Sequence, residues 1–469
     1  MKKTILLSMA LGLASAASLT AGTVDIFLTG STAFRSQVYN AALKCFSPAP
    51  TIYYGDASHG GAGSGFSSST AAWAMTGTPL LTMTNVYGVG FLPSGTTLRI
   101  HGLFTGSVQG IETVEDGVGL VFPQAVGSAG GLCTAYVTNI PTVGFSDCAS
   151  PSTPYNVANK TGFAEESVAI QPFVWCVCNA DAAKTNIFNV SYEQAFHGIS
   201  TGYLPLSAWT GINNDTNYNV YVAQRTKDSG TRRVETALAN YSYNDTVTSY
   251  IFNTNANTWY LPTSLTAGLL GDGTVGVVGP AGLSNNVPNG ANTAWGFGYV
   301  GGGDLRLALN LSKGITNLSI GMLSFADAKS LGSSNWANVV ALNGFWPTTA
   351  GIGLRGNSVT NDFSPVKNGY YSAWAEETLV YSTSQSGIAD NGSIGGSKIT
   401  DTALGNGTTA GSFLGVFNAH NYASPVAGSL DNEIFVSQSV GGTGYPATAI
   451  RLGDMKSNRA AVGGEITPY

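Results

Sequence analysis

The apolar positions of this chain switch between two periods, and the switch points fall at short glycine- and serine-rich turns. "TVDIFLTGSTAFRSQVYNAALKCF" begins as a strand and passes through a Gly-Ser-Thr turn. It continues as a helix in which Phe34, Val38, Ala41, Ala42 and Cys45 recur at helical spacing. "TTLRIHGLFTGSVQGIETV" repeats the unit, and "IPTVGFSD" reads as a third strand that ends at Ser146 and Asp147. A fourth, from Val168 to Cys178, leads into "NVSYEQAFHGIS", where Ser191 and Gln194 form the start of a capping box. "LRLALNL" and "LSIGMLSFADAKSL" give one more helix and strand. Residues 50 to 95 hold no sustained helical period and read as an inserted β hairpin or loop. After about residue 380 the text is rich in Gly, Ser and Asn and reads as loops with a few short elements. Strand, turn and helix in alternation predict an α/β protein.

Composition narrows what such a protein could do. Charged residues make up 10% of the chain, against about 25% in ordinary globular proteins. That excludes the basic surface expected of a nucleic-acid binder. The start, "MKKTILLSMALGLASAASLTAG", has two lysines, an apolar run from Ile5 to about Ala14, and small residues suited to cleavage after Ala16 or Ala21. This predicts a secretory signal peptide over residues 1–21, hence a periplasmic or extracellular protein, with no lipid-anchor cysteine near the cleavage region. No later apolar run approaches the roughly 18 to 20 residues that span a bilayer. The formal charge is −6, and loss of Lys2 and Lys3 takes it to about −8. An anion bound here is therefore held by local geometry and not by a positive field.

The five cysteines, Cys45, Cys133, Cys148, Cys176 and Cys178, permit at most two bridges. Cys176 and Cys178 share one face of a strand and are poorly placed to pair with each other. They read as packing residues or bridge partners. With no CxxC pair, no HExxH and four scattered histidines, neither a metal nor another cofactor is expected.

Three turns carry the chemistry: Gly30-Ser31-Thr32, Thr105-Gly106-Ser107 and Ser229-Gly230-Thr231. Each delivers hydroxyls and first-turn N–H groups to a helix start, an arrangement suited to anions. A single Ser or Thr there is ordinarily just an N-cap. The third turn, however, follows Arg225 in "RTKDSGT", and a guanidinium is a planar fork that matches an oxyanion.

In this order "GSTAFR", "FTGSVQGI", "VGFSD", "EQAFHGISTGYLPLSAWTG", "RTKDSGT", "SIGMLSFADA" and "NGFWPT" resemble the phosphate-binding proteins of bacterial ABC transporters, the PstS-like members of the type 2 periplasmic-binding fold. The family's Arg-x-x-x-Ser-Gly-Thr loop is matched at full spacing. Its Thr-Gly-x-x-x-x-Trp stretch is matched loosely by Thr201, Gly202 and Trp209, and "VKNGYYSAWAEETLVY" echoes its later Gly-x-Tyr stretch. The resemblance covers about residues 24 to 380, apart from the insertion. It implies a two-lobed α/β protein with a discontinuous first lobe, residues 22–178 and 317–380, a second lobe at 179–316, a β-rich insertion at about 50–95 and an extension at 381–469 packed on the first lobe. The chain would cross between lobes near Val174 to Asn179 and return near Ile320 to Ser324.

The resemblance further implies that phosphate, or a similar tetrahedral oxyanion, sits between the lobes, held by Ser31, Thr32, Ser107 and Asp147 on one side and by Arg225, Ser229, Gly230 and Thr231 on the other. It implies a non-enzymatic, monomeric partner of an ABC permease. In the family the aspartate matching Asp147 selects phosphate over sulfate, because a carboxylate tolerates only an anion that still carries a proton to give it. Without that role Asp147 is a turn cap in "SDCASP". The chain departs from the family in reading Lys227-Asp228 where Asp-Gly is usual, and in lacking a proline in the first loop.

Other motifs fail. "GFGYVG" (residues 296–301) lacks the preceding strand and following acid of a dinucleotide site and reads as a glycine-rich loop before a helix at Asp304. No G-x-S-x-G elbow occurs, so a phosphatase on this fold has no visible nucleophile. Trp209, Trp295, Trp336, Trp346 and Trp374 read as packing residues. The Gly/Asn/Ser/Thr richness keeps one alternative open, a surface or adhesive protein that retains the fold without the ligand.

Overall fold

A computed structural model describes residues 22–43, 45–56, 71–79, 95–155, 157, 160–178, 186–243, 245, 247–253, 256–261, 298–299, 301–312, 314–328, 338–349 and 363–382, with short pieces at 439–440, 443–444, 450, 455–458 and 467–468. The signal peptide expected at 1–21, much of the insertion, Trp295, Trp336 and most of the tail lie outside the described residues.

The chain opens with β1 (Thr23–Gly30), α1 (Arg35–Leu43), β2 (Thr51–Tyr54), β3 (Ala72–Gly77), β4 (Thr97–Leu103), α2 (Ser107–Glu115), β5 (Leu120–Pro123), β6 (Tyr136–Asn139) and β7 (Val143–Ser146), of which β5 and β6 pair only with each other. The long strand β8 (Phe163–Val177) follows. Next come β9 (Asn189–Val190), α3 (Tyr192–Thr201), β10 (Tyr203–Pro205), α4 (Leu206–Thr210), β11 (Asn219–Val222) and α5 (Gly230–Leu238). The last described elements in sequence before the tail are β12 (Ile251–Asn253), β13 (Thr258–Tyr260), α6 (Gly302–Leu311), β14 (Leu318–Ser324), α7 (Phe325–Ala328), β15 (Val339–Leu342), α8 (Ser364–Lys367) and β16 (Trp374–Ser382). The expected strand-turn-helix units are therefore present, and α3 starts on the capping box of Ser191 and Gln194.

One sheet runs through the molecule in the order β10-β11-β14-β8-β16-β7-β1-β4-β3-β2. β1 pairs in parallel with both β4 and β7, the signature of strand-helix-strand crossovers. β11 and β14 form a second parallel pair at the other end. β8 joins the two ends because it is long enough to serve both. Phe163 to Pro172 run against β16, all but Val168 in register pairs, and Phe173 to Val177 pair with β14. The hairpin expected between 50 and 95 is there as β2 and β3, but it is no appendage. β3 pairs with β4 and so extends the main sheet. Of the tail, Ile450 exchanges two 2.8 Å backbone bonds with Ile170 of β8.

Apolar side chains collect in separate cores along this sheet. Val24, Ile26, Leu28, Val38, Ile100 and Phe145 lie in one core, and Trp175, Val222, Leu305, Ile320 and Trp374 in another. Each such side chain contributes about 1.5 to 3 kcal/mol when fully buried. Trp209, Trp346 and Trp374 are buried, as packing residues should be. All five cysteines are buried and free, so the possible bridges do not form.

What positions the functional turns is how closely α2 lies on the sheet. Gly30 closes β1 at φ +116, and a Cβ there would stand 1.9 Å from the Phe145 carbonyl oxygen. On α2, a Cβ at Gly110 would stand 2.7 Å from the Gly30 Cα and 2.9 Å from that same oxygen. The helix therefore lies directly on the ends of β1 and β7, and its first residue, Ser107, arrives beside Asp147. Gly110→Val should force the helix outward at a cost of roughly 1 to 3 kcal/mol, read as a lower urea midpoint with the slope unchanged.

Candidate functional site

The ends of β1, β4 and β7 meet the loop between β11 and α5 at a buried polar cluster. Ser31, Ser107, Asp147, Arg225, Ser229 and Thr231 are all at most 2% exposed, and Thr32 is 7% exposed. The Ser107 hydroxyl donates to Asp147 Oδ1. Across the junction Asp147 packs on the first residue of α5, where a Cβ added to Gly230 would fall 1.5 Å from Asp147 Oδ1 and 2.7 Å from Ser107 Oγ. Only glycine leaves room for that carboxylate.

Arg225 ties the two ends of the sheet together. Its Nη2 donates to Thr32 Oγ1 at 3.0 Å, its Nη1 to Thr231 Oγ1 at 3.4 Å, and its Nε to the Tyr299 carbonyl at 2.9 Å. Burial pulls the guanidinium below its ordinary value. Asp327, Asp147 and Asp304, in that order, pull it back, and Arg35 opposes them. Asp327 accepts from Ser324 Oγ at 2.9 Å and stands 3.8 Å from Arg35.

The turns expected to converge thus do so for Ser31, Thr32, Ser107, Asp147, Arg225, Gly230 and Thr231. Ser229 also behaves as an ordinary helix cap, since its side chain accepts from the Arg232 N–H at 3.4 Å. The departure at Lys227-Asp228 causes no backbone strain. Among the described residues, the non-glycine positions with positive φ are Asn240, Asn257 and Asn343. Lys227 lies 4.4 Å from the centre of the Tyr243 ring, and the Asp228 carbonyl accepts the Val108 N–H of α2 at 3.0 Å.

Four groups went unread in the sequence. Tyr299 sits in the glycine-rich run set aside as a mere loop, yet Arg225 and Tyr299 form a β bridge. Asp327 was readable, because Ser324-x-x-Asp327 is a cap spacing at a strand end, and its N–H donates to the Ser324 hydroxyl oxygen at 3.1 Å. Arg35, in the quoted "GSTAFR", gave no sign of its partner. Glu377 is fully buried on β16. The sign was the pair Glu376-Glu377, since successive strand residues face opposite ways.

Electrostatically the cluster holds more acid than base. Burial pushes the Asp147 carboxyl up to about 6, against the Ser107 hydroxyl, Arg225, its own backbone N–H and Ser31, which hold it down. Burial, helped by the charge of Asp147, pushes Glu377 well above the carboxylate range, with the Ser31 hydroxyl acting the other way. The described residues contain no group of three or more His, Cys, Asp or Glu that could hold a metal ion. None of their helices is long and apolar enough to cross a membrane.

No protein-family model matches the chain, and no curated protein matches its sequence. Solved structures do match. A protein from Clostridium perfringens solved with bound phosphate is 14% identical at a TM-score of 0.38, covering 81% of this chain and 93% of that one. An ABC-type phosphate transport receptor from Vibrio cholerae is 11% identical at 0.35, covering 78% and 88%. A phosphate-binding protein from Stenotrophomonas maltophilia is 11% identical at 0.34, covering 91% and 87%. The chain is similar to these proteins, and its own function has to be argued from its own residues.

Asp147 also sets a pH dependence. Its folded-state value of about 6 lies above its ordinary 3.8, so its contribution to stability is fully present below pH 3.8 and is lost as pH rises through 6. A displacement of that size is worth roughly 3 kcal/mol. Asp147→Asn should therefore match the parent near pH 4 and exceed it by about 2 to 3 kcal/mol at pH 7 without ligand, as urea unfolding at the two pH values would show.

Proposed function

We propose that the chain is an exported solute-binding protein that takes inorganic phosphate, or a closely similar tetrahedral oxyanion, between two lobes and passes it to an ABC permease. The observation that carries this reading is the guanidinium of Arg225, buried where the hydroxyl turns of both sheet ends meet a carboxylate. In this reading the lobes are residues 22–178 with 317–380, and 179–316, and β8 and β14 act as the hinge. Ser31, Thr32, Ser107 and Asp147 grip the anion from one lobe, and Arg225, Ser229, Gly230 and Thr231 from the other. The protein works as a monomer in the periplasm or outside the cell, and it performs no chemistry on its ligand.

The mixed chemistry of the cluster supports this reading over a purely structural one. Hydroxyls, a guanidinium and the open N–H groups of the first turn of α5 all favour a small oxyanion. Asp147 is unfavourable to any anion that lacks a proton, which is a means of choosing phosphate over sulfate.

Calorimetric titration tests both halves of the claim. A charge-assisted hydrogen bond away from water is worth about 1.5 to 3 kcal/mol. Arg225→Ala should therefore weaken phosphate binding by at least about tenfold, and every other oxyanion with it. Asp147→Asn should instead raise sulfate relative to phosphate, because the amide can donate and the negative charge is gone. An Asp147→Asn protein with unchanged preference would reduce Asp147 to a turn cap.

A further inference from the structure

Glu377 poses a problem that the oxyanion reading leaves unsolved. It lies 0% exposed in β16, just before a register irregularity against β8, and neither carboxyl oxygen has a hydrogen-bond partner. An unpaired ionised carboxylate in such a place is prohibitively unfavourable. Its neighbours explain which form it takes. On the turn after β1 stands Ser31, whose oxygen already accepts the Phe34 N–H at 3.1 Å. That leaves Ser31 one proton, and Asp147 and Glu377 stand side by side one residue beyond the Ser146–Thr378 pair of β7 and β16, where the Ser31 hydroxyl favours the ionised form of each. On β7 stands Asp147, which has the Ser107 hydroxyl, its own backbone N–H and the charge of Arg225 in its favour.

Among the described residues, the other elements offer Glu377 no cation. Its register partner on β8 is Ala169. Glu165, further along β8, is held by the Ser150 N–H at 2.8 Å and Thr378 Oγ1 at 3.0 Å. On its own strand Glu376 accepts from Ser167. On α2, which packs against β16, the buried acid is Glu112, bonded to Tyr155. Two carboxyls thus compete for one hydroxyl, and the one with further donors to stabilise its charge is Asp147.

We infer that Asp147 and Glu377 form a carboxyl pair that shares one proton, with Glu377 the member that carries it and presents an acid O–H to the bound oxyanion while Asp147 presents a carboxylate. This rests on the oxyanion reading and deepens it. A cleft with one acidic donor and one anionic acceptor is matched by a ligand that itself both accepts and donates. That is a tetrahedral oxyanion retaining a proton at neutral pH, phosphate or arsenate, and not sulfate. A carboxylic acid kept neutral by an apolar setting serves as a hydrogen-bond donor in the same way.

The test pairs two variants with two readouts. Glu377→Gln keeps shape and an N–H donor, so phosphate affinity by calorimetry should stay within about threefold of the parent, whereas Glu377→Leu should lose at least about tenfold. Equal affinity in Glu377→Leu and the parent, or a loss in Glu377→Gln as large as in Glu377→Leu, would overturn the inference. Infrared difference spectra of the ligand-free protein supply the second readout, which needs only the foldable Glu377→Gln. A protonated-carboxyl band present in the parent, absent in Glu377→Gln and shifted when inorganic phosphate is added is the expected result. Parent and Glu377→Gln spectra alike in that region would overturn it. A parent that binds no phosphate but keeps the Glu377 band would instead reject the oxyanion reading alone, leaving the protonated carboxyl in place.

Discussion

A guanidinium taken out of water must be surrounded by acceptors and negative charge, and everything at the centre of this protein follows from where Arg225 is buried. Desolvating such an ion costs several kcal/mol even after relaxation. The compensation comes from parts of the chain far apart in sequence: Thr32 after β1, Thr231 on α5, the Tyr299 carbonyl, and the charges of Asp327, Asp147 and Asp304. Arg225 is thus a side-chain link between the two ends of the sheet that β8 already joins. An oxyanion that entered would share the guanidinium with partners it already has.

The acids around that cation are unequal, and their inequality gives the site its chemistry. Asp147 has donors and stays near the threshold of ionisation at neutral pH. Glu377 has at most a share of the Ser31 hydroxyl and is driven to the neutral form. Asp327 is held by Ser324 and the neighbourhood of Arg35. The close packing of α2 on Gly30 keeps this arrangement rigid, because Ser107 cannot leave Asp147 without lifting the whole helix off the sheet. The Asp228 carbonyl, bonded to Val108 at 3.0 Å, then fastens α2 to the loop that carries Arg225.

Local rules made much of this legible in the sequence. Period and turn chemistry marked β1, α2, β7, α3 and α5, and the capping box of Ser191 and Gln194 fixed where α3 begins. Arg225 and the three hydroxyl turns stood out because their residue types suit anions regardless of fold. What stayed hidden depended on long-range placement. β3 reads locally like a loop hairpin, and only pairing with β4 makes it part of the sheet. Tyr299 matters through a backbone carbonyl, which no residue code reveals. Glu377 is buried because β16 runs between β7 and β8, a consequence of strand order that no local pattern contains.

The central claim is that this junction holds one tetrahedral oxyanion, and native mass spectrometry of the protein purified without added phosphate tests it most directly. The account predicts a chain that carries a single phosphate, or takes up a single one on incubation, and that does neither once Arg225 is replaced by alanine. A parent chain that remains at its bare mass after incubation with phosphate, arsenate and sulfate in turn would contradict it.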